Sequence, residues 1–230
     1  MKDTISRRLT RLGKWLWIAG LLLAVYLMAD LSLPYTALRK NVDFLITKQR
    51  VYHITWWRIG FYVHVFTSVL VLLAGFTQFS RFFLHQRPLW HRRAGWLYIV
   101  AVLVLSAPSG FLLALRANGG LLARISFVLL SVTWFITTLQ ALLLVKKQLF
   151  EKHANWMLRS YALTLSAIGL RTYAWLFDLL NIHMAPRNVY ILIAWISWVP
   201  NLLIAEWLIK KGFNKKLLKP SYIVHPETDL

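Results

Sequence analysis

At 230 residues, 58% hydrophobic and 15% aromatic with 12 tryptophans, the chain carries more apolar surface than a soluble domain of this size can bury. Its solvent is therefore lipid, and the length suffices for a single membrane domain over 1–230. The net charge of +19 clusters beside apolar runs, which argues against a nucleic-acid partner, and the lack of cysteine excludes disulfides, thiolate metal sites and c-type haem.

In chain order, residues 1–13 form a basic N-terminal segment ahead of an apolar run at Lys14–Leu33. That run is long and lacks a clear small-x-small cleavage site, so it reads as an uncleaved anchor. Residues 34–56 mix charged and aromatic side chains and read as a loop lying on the membrane. Further runs follow at Trp57–Phe79, Gly95–Leu115, Leu121–Val145, Trp156–Leu179 and Val189–Ile209. Each approaches the roughly 20 residues a helix needs to cross about 30 Å of hydrocarbon. A helix satisfies its own backbone in lipid, and no strand-length alternation is visible. The expected fold is therefore all-α and polytopic, with six transmembrane helices, a four-helix core at 57–179 and a polar tail at 210–230.

Gly119-Gly120 predicts a tight turn between the third and fourth segments. Pro108 and Pro200 predict kinks, with Ser106, Ser109, Ser197 and Asn201 close enough to engage freed carbonyls. Eighteen Lys and Arg residues fall on the side of the termini and eight on the other, with Arg171 inside a helix. This bias predicts cytoplasmic termini in a bacterial inner membrane.

A shift of 62 positions overlays segments two and three on four and five. It matches His64 with Ser126, Gly75 with Thr137, Gln78 with Gln140, His91 with His153, and Ser109 with Arg171. Such a parallel hairpin repeat would place a site at its interface. Helical periodicity also draws small and polar residues into stripes on these segments, although close packing alone would do the same.

The ionisable residues narrow the choice. Arg171 and His64 each lie about seven residues, or roughly 10 Å, from the same membrane side. Together, with Gln78 and Gln140 as further polar ligands, they could hold a carboxylate, a propionate or a quinone carbonyl. The plainer alternative is that Arg171 snorkels outward or pairs with Asp178. His91 and His153 share the opposite boundary and suit the axial positions of a b-type haem. Gly95 would make room for the macrocycle, and Arg92, Arg93 or Arg159 would neutralise propionates. Alternatively, both imidazoles sit hydrated among headgroups. Glu206 is spaced to pair with Lys210. No HExxH, phosphate loop, nucleophile elbow or acidic cluster is present, so metalloprotease, nucleotide-driven and serine-hydrolase readings lack support.

The runs from His64-Val-Phe to Gly75-Phe-Thr-Gln-Phe, from His91-Arg-Arg-Ala-Gly to Tyr98, and from His153-Ala-Asn-Trp-Met-Leu-Arg-Ser to Arg171 resemble a bacterial family of predicted membrane proteins, domain of unknown function 2306. The resemblance covers about Arg58–Arg171 and implies a membrane fold without a particular chemistry. A weaker similarity is to cytochrome b561-type carriers, which implies histidine-held haem. Here the fourth segment has no histidine, so at most one bis-histidine haem fits. The expectation is a redox-related membrane protein with one b-type haem or a quinone-like site. The alternatives are a transporter, channel or binder of lipid or small anions, or a structural partner of a membrane complex.

Overall fold

The computed structural model describes residues 18–218 except Leu21. The predicted segment 1–13, and residues 219–230 of the predicted tail 210–230, lie outside the described residues. The described chain is helical throughout, with no strand among these residues. Five helices are long and apolar enough to cross a membrane: Ile18–Ala37, Thr55–Gln78, Pro88–Ala114, Leu121–Lys146 and Pro186–Lys210.

We label the helices in chain order. The first span, α1 (Ile18–Ala37), ends in a 3-10 turn at Leu33–Ala37. The stretch that follows, 34–56, packs against the start of the second span. It folds into a 3-10 turn at Asp43–Lys48 and one helical turn, α2 (Gln49–Tyr52). Tyr35 and Leu45 bury themselves against Trp57 and Phe61 at the start of α3 (Thr55–Gln78). Aromatic edges and faces hold this cap, with Tyr35 on Phe61 at 5.1 Å and Trp57 stacked on Phe61 at 5.6 Å.

The third span begins earlier than its apolar run suggested, because Pro88 suits the first helical turn. It comprises α4 (Pro88–Val100), a π-helical stretch at Ala101–Ser106 and α5 (Ala107–Ala114). The π stretch ends just before Pro108, which cannot donate to the ladder. Ser109 Oγ donates to the Leu105 carbonyl at 2.5 Å. This span is the most enclosed, half buried against a third or less for the other four.

After the left-handed turn at Gly119 and Gly120 (φ +82° and +83°) comes α6 (Leu121–Lys146). The run predicted as one helix over Trp156–Leu179 is two helices, α7 (Phe150–Thr164) and α8 (Ser166–Leu179), interrupted at Leu165. The last span also breaks, into α9 (Pro186–Ile196) and α10 (Val199–Lys210), at the predicted Pro200. Asn201 Nδ2 donates to Ser197 O at 3.0 Å and to Ala162 O at 3.3 Å, so the broken turn is tied to α7. A Cβ on Gly169 would lie 2.9 Å from Ser197 O, so only glycine lets α8 approach this break. A short helix, α11 (Phe213–Leu218), follows and contacts α7.

Packing follows from these breaks. α3 lies along α4 and α5, α6 along α5 and α7, and α3 also touches α7. α9 packs on α6 and α8, and α10 on α7. Gly75 on α3 is the tightest approach, since a Cβ there would sit 2.9 Å from the Tyr98 ring and closer still to that of Tyr161. Outward-facing leucines, such as Leu23, Leu70, Leu121 and Leu203, are exposed, as lipid contact requires.

The predicted hairpin repeat is not matched in the surroundings of its paired residues. His64 Nδ1 bonds the Ser106 carbonyl at 2.9 Å, whereas its mate Ser126 donates to Ala194 O on α9. His153 Nδ1 bonds Ala141 O at 2.8 Å, whereas His91 Nδ1 is buried without a partner among the described residues.

Candidate functional site

A cavity of about 380 Å³ opens between α3, α5, α6 and α8 beneath the 34–56 cap. Its lining on α3 runs from Trp57 through Phe61, His64 and Ser68 to Leu72. From Trp57 to Leu72 the helix rises about 22 Å, so the cavity is long and parallel to the helices. Its surface is mostly apolar, with a few polar groups set into it, as small-molecule pockets generally are.

Those polar groups are unevenly satisfied. His64 is held by α5, through the Ser106 carbonyl at 2.9 Å. The carbonyl can only accept, so Nδ1 carries the proton and Nε2 is the unused nitrogen. A Cβ on Gly110 would meet the same imidazole at 3.0 Å, which explains a glycine at that place on α5. Arg171 on α8 lines the cavity with an exposed guanidinium. Its one hydrogen bond among the described residues is Nη1 to Ala167 O, at 3.0 Å on its own helix. It is not ion-paired with Asp178. Trp57 Nε1 and Ser68 Oγ, both buried on the lining, have no hydrogen-bond partner among the described residues.

The cap adds two groups from the loop side. Tyr35 Oη accepts from Phe44 N at 3.4 Å, which leaves its own proton unspent. Lys48 is 5% exposed, and its Nζ donates to Arg116 O at 2.7 Å and Asn118 Oδ1 at 2.6 Å. Burial, and then the charge of Arg124, push the Lys48 ammonium down to about 8. No Asp or Glu lines the cavity among the described residues.

The structure thus brings His64 and Arg171 to one lining, and it leaves the other predicted residues elsewhere. Gln78 is buried at the far end of α3, where Nε2 reaches His91 O at 3.3 Å and Thr77 Oγ1 at 3.2 Å. Gln140 is half-buried on α6, away from the cavity lining. His91 and His153 are both half-buried, in the first turns of α4 and α7, and lie within electrostatic range of each other. The room expected beside Gly95 is filled by the Gln78 amide, whose Oε1 would be 3.0 Å from a Cβ there. Arg92 is exposed. Arg159 is not free for a propionate, because it forks onto Glu206 at 2.5 and 2.9 Å. Glu206 therefore pairs across helices rather than with Lys210.

Between the two ends lies a closed hydroxyl network. Tyr98 Oη bonds Ser160 Oγ at 2.7 Å and Thr164 Oγ1 at 2.8 Å, and Thr138 Oγ1 bonds Ser160 Oγ at 2.7 Å. All four residues are buried.

Sequence reasoning missed Lys48, Tyr35 and Trp57. Lys48 stands in a short loop that carries no periodicity to mark an inward face. An orphaned indole leaves no trace in sequence at all.

No curated protein and no solved structure matches the chain at a significant level. The family model described as "Predicted membrane protein (DUF2306)" matches residues 61–209, which takes in α3 from Phe61 and all but the last residue of α10. The chain is thus an integral membrane protein and belongs to the DUF2306 family of predicted membrane proteins.

Proposed function

We propose that this membrane protein binds a small amphipathic molecule within the bilayer, in the cavity lined by His64 and Arg171. The observation that carries the reading is the polar mismatch on that lining. Trp57 Nε1 and Ser68 Oγ are two of four buried side-chain polar atoms left without a partner among the described residues. An unsatisfied buried donor costs about 1–3 kcal/mol, so a lining that keeps two of them beside an Arg is built for an acceptor supplied from outside. The apolar remainder suits a hydrocarbon or isoprenoid body, which includes the quinone-like ligands expected from the sequence.

The test is native mass spectrometry of the full chain released from its membranes. Wild type is expected to retain a bound amphiphile. Ser68→Leu, which fills the lining with an apolar chain, is expected to lose it. Equal retention by both would remove the cavity from the argument.

A second reading keeps the imidazole pair at the other end. His153 donates its Nδ1 proton to Ala141 O, which leaves Nε2 free to ligate, and His91 Nδ1 is buried and unspent. This donor set fits the axial positions of a b-type haem, which when bound would supply one-electron chemistry. His91 and His153 would hold it, and the Gln78 amide would have to leave Gly95. A dithionite-reduced spectrum of protein from haem-replete cells decides the matter. A b-type band lost in His153→Ala supports the pair, and a featureless spectrum removes it.

A further inference from the structure

The cavity has a charge as well as a shape. Among the described residues its one guanidinium, on Arg171, lines the cavity with a single intrahelical hydrogen bond. Five N–H donors in a planar fork are thereby left largely unspent. Tyr35, within electrostatic range of Arg171, has a hydroxyl proton to give. Trp57 Nε1 is a donor with no acceptor among the described residues, and an indole can do nothing but donate. Lys48 enters from the cap with a third N–H beyond the two committed to Arg116 O and Asn118 Oδ1. Against these donors stands no carboxylate on the lining among the described residues. A cation set at membrane depth without a counter-ion is costly, so the partner is expected to carry negative charge.

The donors are also placed at one end. Tyr35, Lys48 and Trp57 belong to the cap and the first turn of α3. The opposite end of the lining is Leu72, Trp134 and Leu163, and there the polar atoms are already satisfied by the network around Tyr98.

Resting on the intramembrane-binding reading above, we propose that the ligand is an acidic single-chain amphiphile, with a carboxylate or phosphate head beside Arg171 and Tyr35 and its chain running down α3 toward Leu72. In this arrangement Arg171 grips the head. Lys48 raises the positive potential from the cap, and it also latches the cap to the turn after α5. Trp57 supplies one neutral hydrogen bond. Arg171 and Lys48 are therefore unequal: the first sets the preference for charge and the second strengthens it.

The experiment titrates hexadecanoate, hexadecyl phosphate and hexadecan-1-ol into the full chain in nanodiscs and reads each Kd by calorimetry. Wild type is expected to bind one or both acids at least about tenfold more tightly than the alcohol, as a charge-assisted hydrogen bond requires. The stronger acid identifies the head. Arg171→Leu should abolish the preference for acid over alcohol while alcohol binding persists, and Lys48→Met should reduce it about threefold. Arg39→Gln, an exposed cation in the same cap but off the lining, should leave it unchanged. Equal binding of acids and alcohol by wild type would overturn the charge assignment and leave the cavity a neutral-ligand site. Failure of all three to bind would instead count against intramembrane binding itself. The wild-type ratio decides the first point even if a variant fails to accumulate.

Discussion

Two polar regions share the interior of this protein and treat their polar groups in opposite ways. Around Tyr98 the hydroxyls of Ser160, Thr164 and Thr138 all find one another within 2.8 Å, and nothing is left over. Beside them, in the cavity under the cap, Trp57 Nε1 and Ser68 Oγ find no partner among the described residues, and Arg171 makes a single bond there. Lipid supplies no hydrogen bonds, so a membrane protein must close its own accounts or have them closed by something bound. The closed region reads as structure, and the open one reads as a site. Residue type alone would not separate them, since both use hydroxyls and aromatic groups.

The comparison can be broken most forcefully at Gly75. A valine there would drive a methyl into the rings of Tyr161 and Tyr98, which already lie within contact distance. Overpacking of this kind should destabilise the closed region by about 3 kcal/mol or more, seen as a large drop in thermal midpoint or in accumulation. A near-normal midpoint would mean that the region is softer than its geometry implies.

The next effect comes from pH. The folded Lys48 pKa of about 8 lies below the ordinary value of 10.5, so between these limits the unfolded chain holds more protons than the folded one. Stability of the ligand-free protein should therefore rise from pH 8 to 10.5, by something on the order of 3 kcal/mol, and stay flat below 8. Lys48→Met should remove the slope. Binding of an anion should move the other way, weakening as pH climbs through 8 and the ammonium discharges. A ligand-free midpoint that does not change over this window would show that Lys48 keeps its proton there.

Smaller changes sharpen the contrast. Tyr98→Phe deletes the hub of the closed network and should cost about 1–2 kcal/mol without altering ligand affinity. Trp57→Phe deletes an orphan instead. It should leave the ligand-free midpoint within about 1 kcal/mol of wild type, because no bond is lost, yet weaken binding. If the two substitutions proved equally destabilising, the distinction between closed and open regions would fail.

Much of this was legible in the chain. The meeting of His64 and Arg171 on one lining follows from counting residues inward from the same boundary, because helix rise converts number into depth. The π-helical stretch before Pro108 and the break beside Pro200 follow from a missing N–H. The interruption at Leu165 had no such signal, for neither proline nor glycine marks it, and it arises where α7 hands over to a helix packed on α9. The fork from Arg159 to Glu206 spans 47 residues of sequence, so spacing along one helix could only suggest the wrong partner, Lys210. Gly95 was legible as a gap, but what fills it, Gln78, is a neighbour only in space.

By itself the sequence determined what depends on composition and on local geometry. Apolar runs of span length demand lipid, prolines and paired glycines set the breaks and the turn, and a regular rise places residues at their depth. Only the tertiary structure decided which polar groups are satisfied. Hydrogen bonds between helices depend on which faces meet, on how a glycine lets them approach, and on how a cap folds back to lower Lys48 and Tyr35 onto the cavity. Those contacts join residues far apart in the chain, and no local rule encodes them.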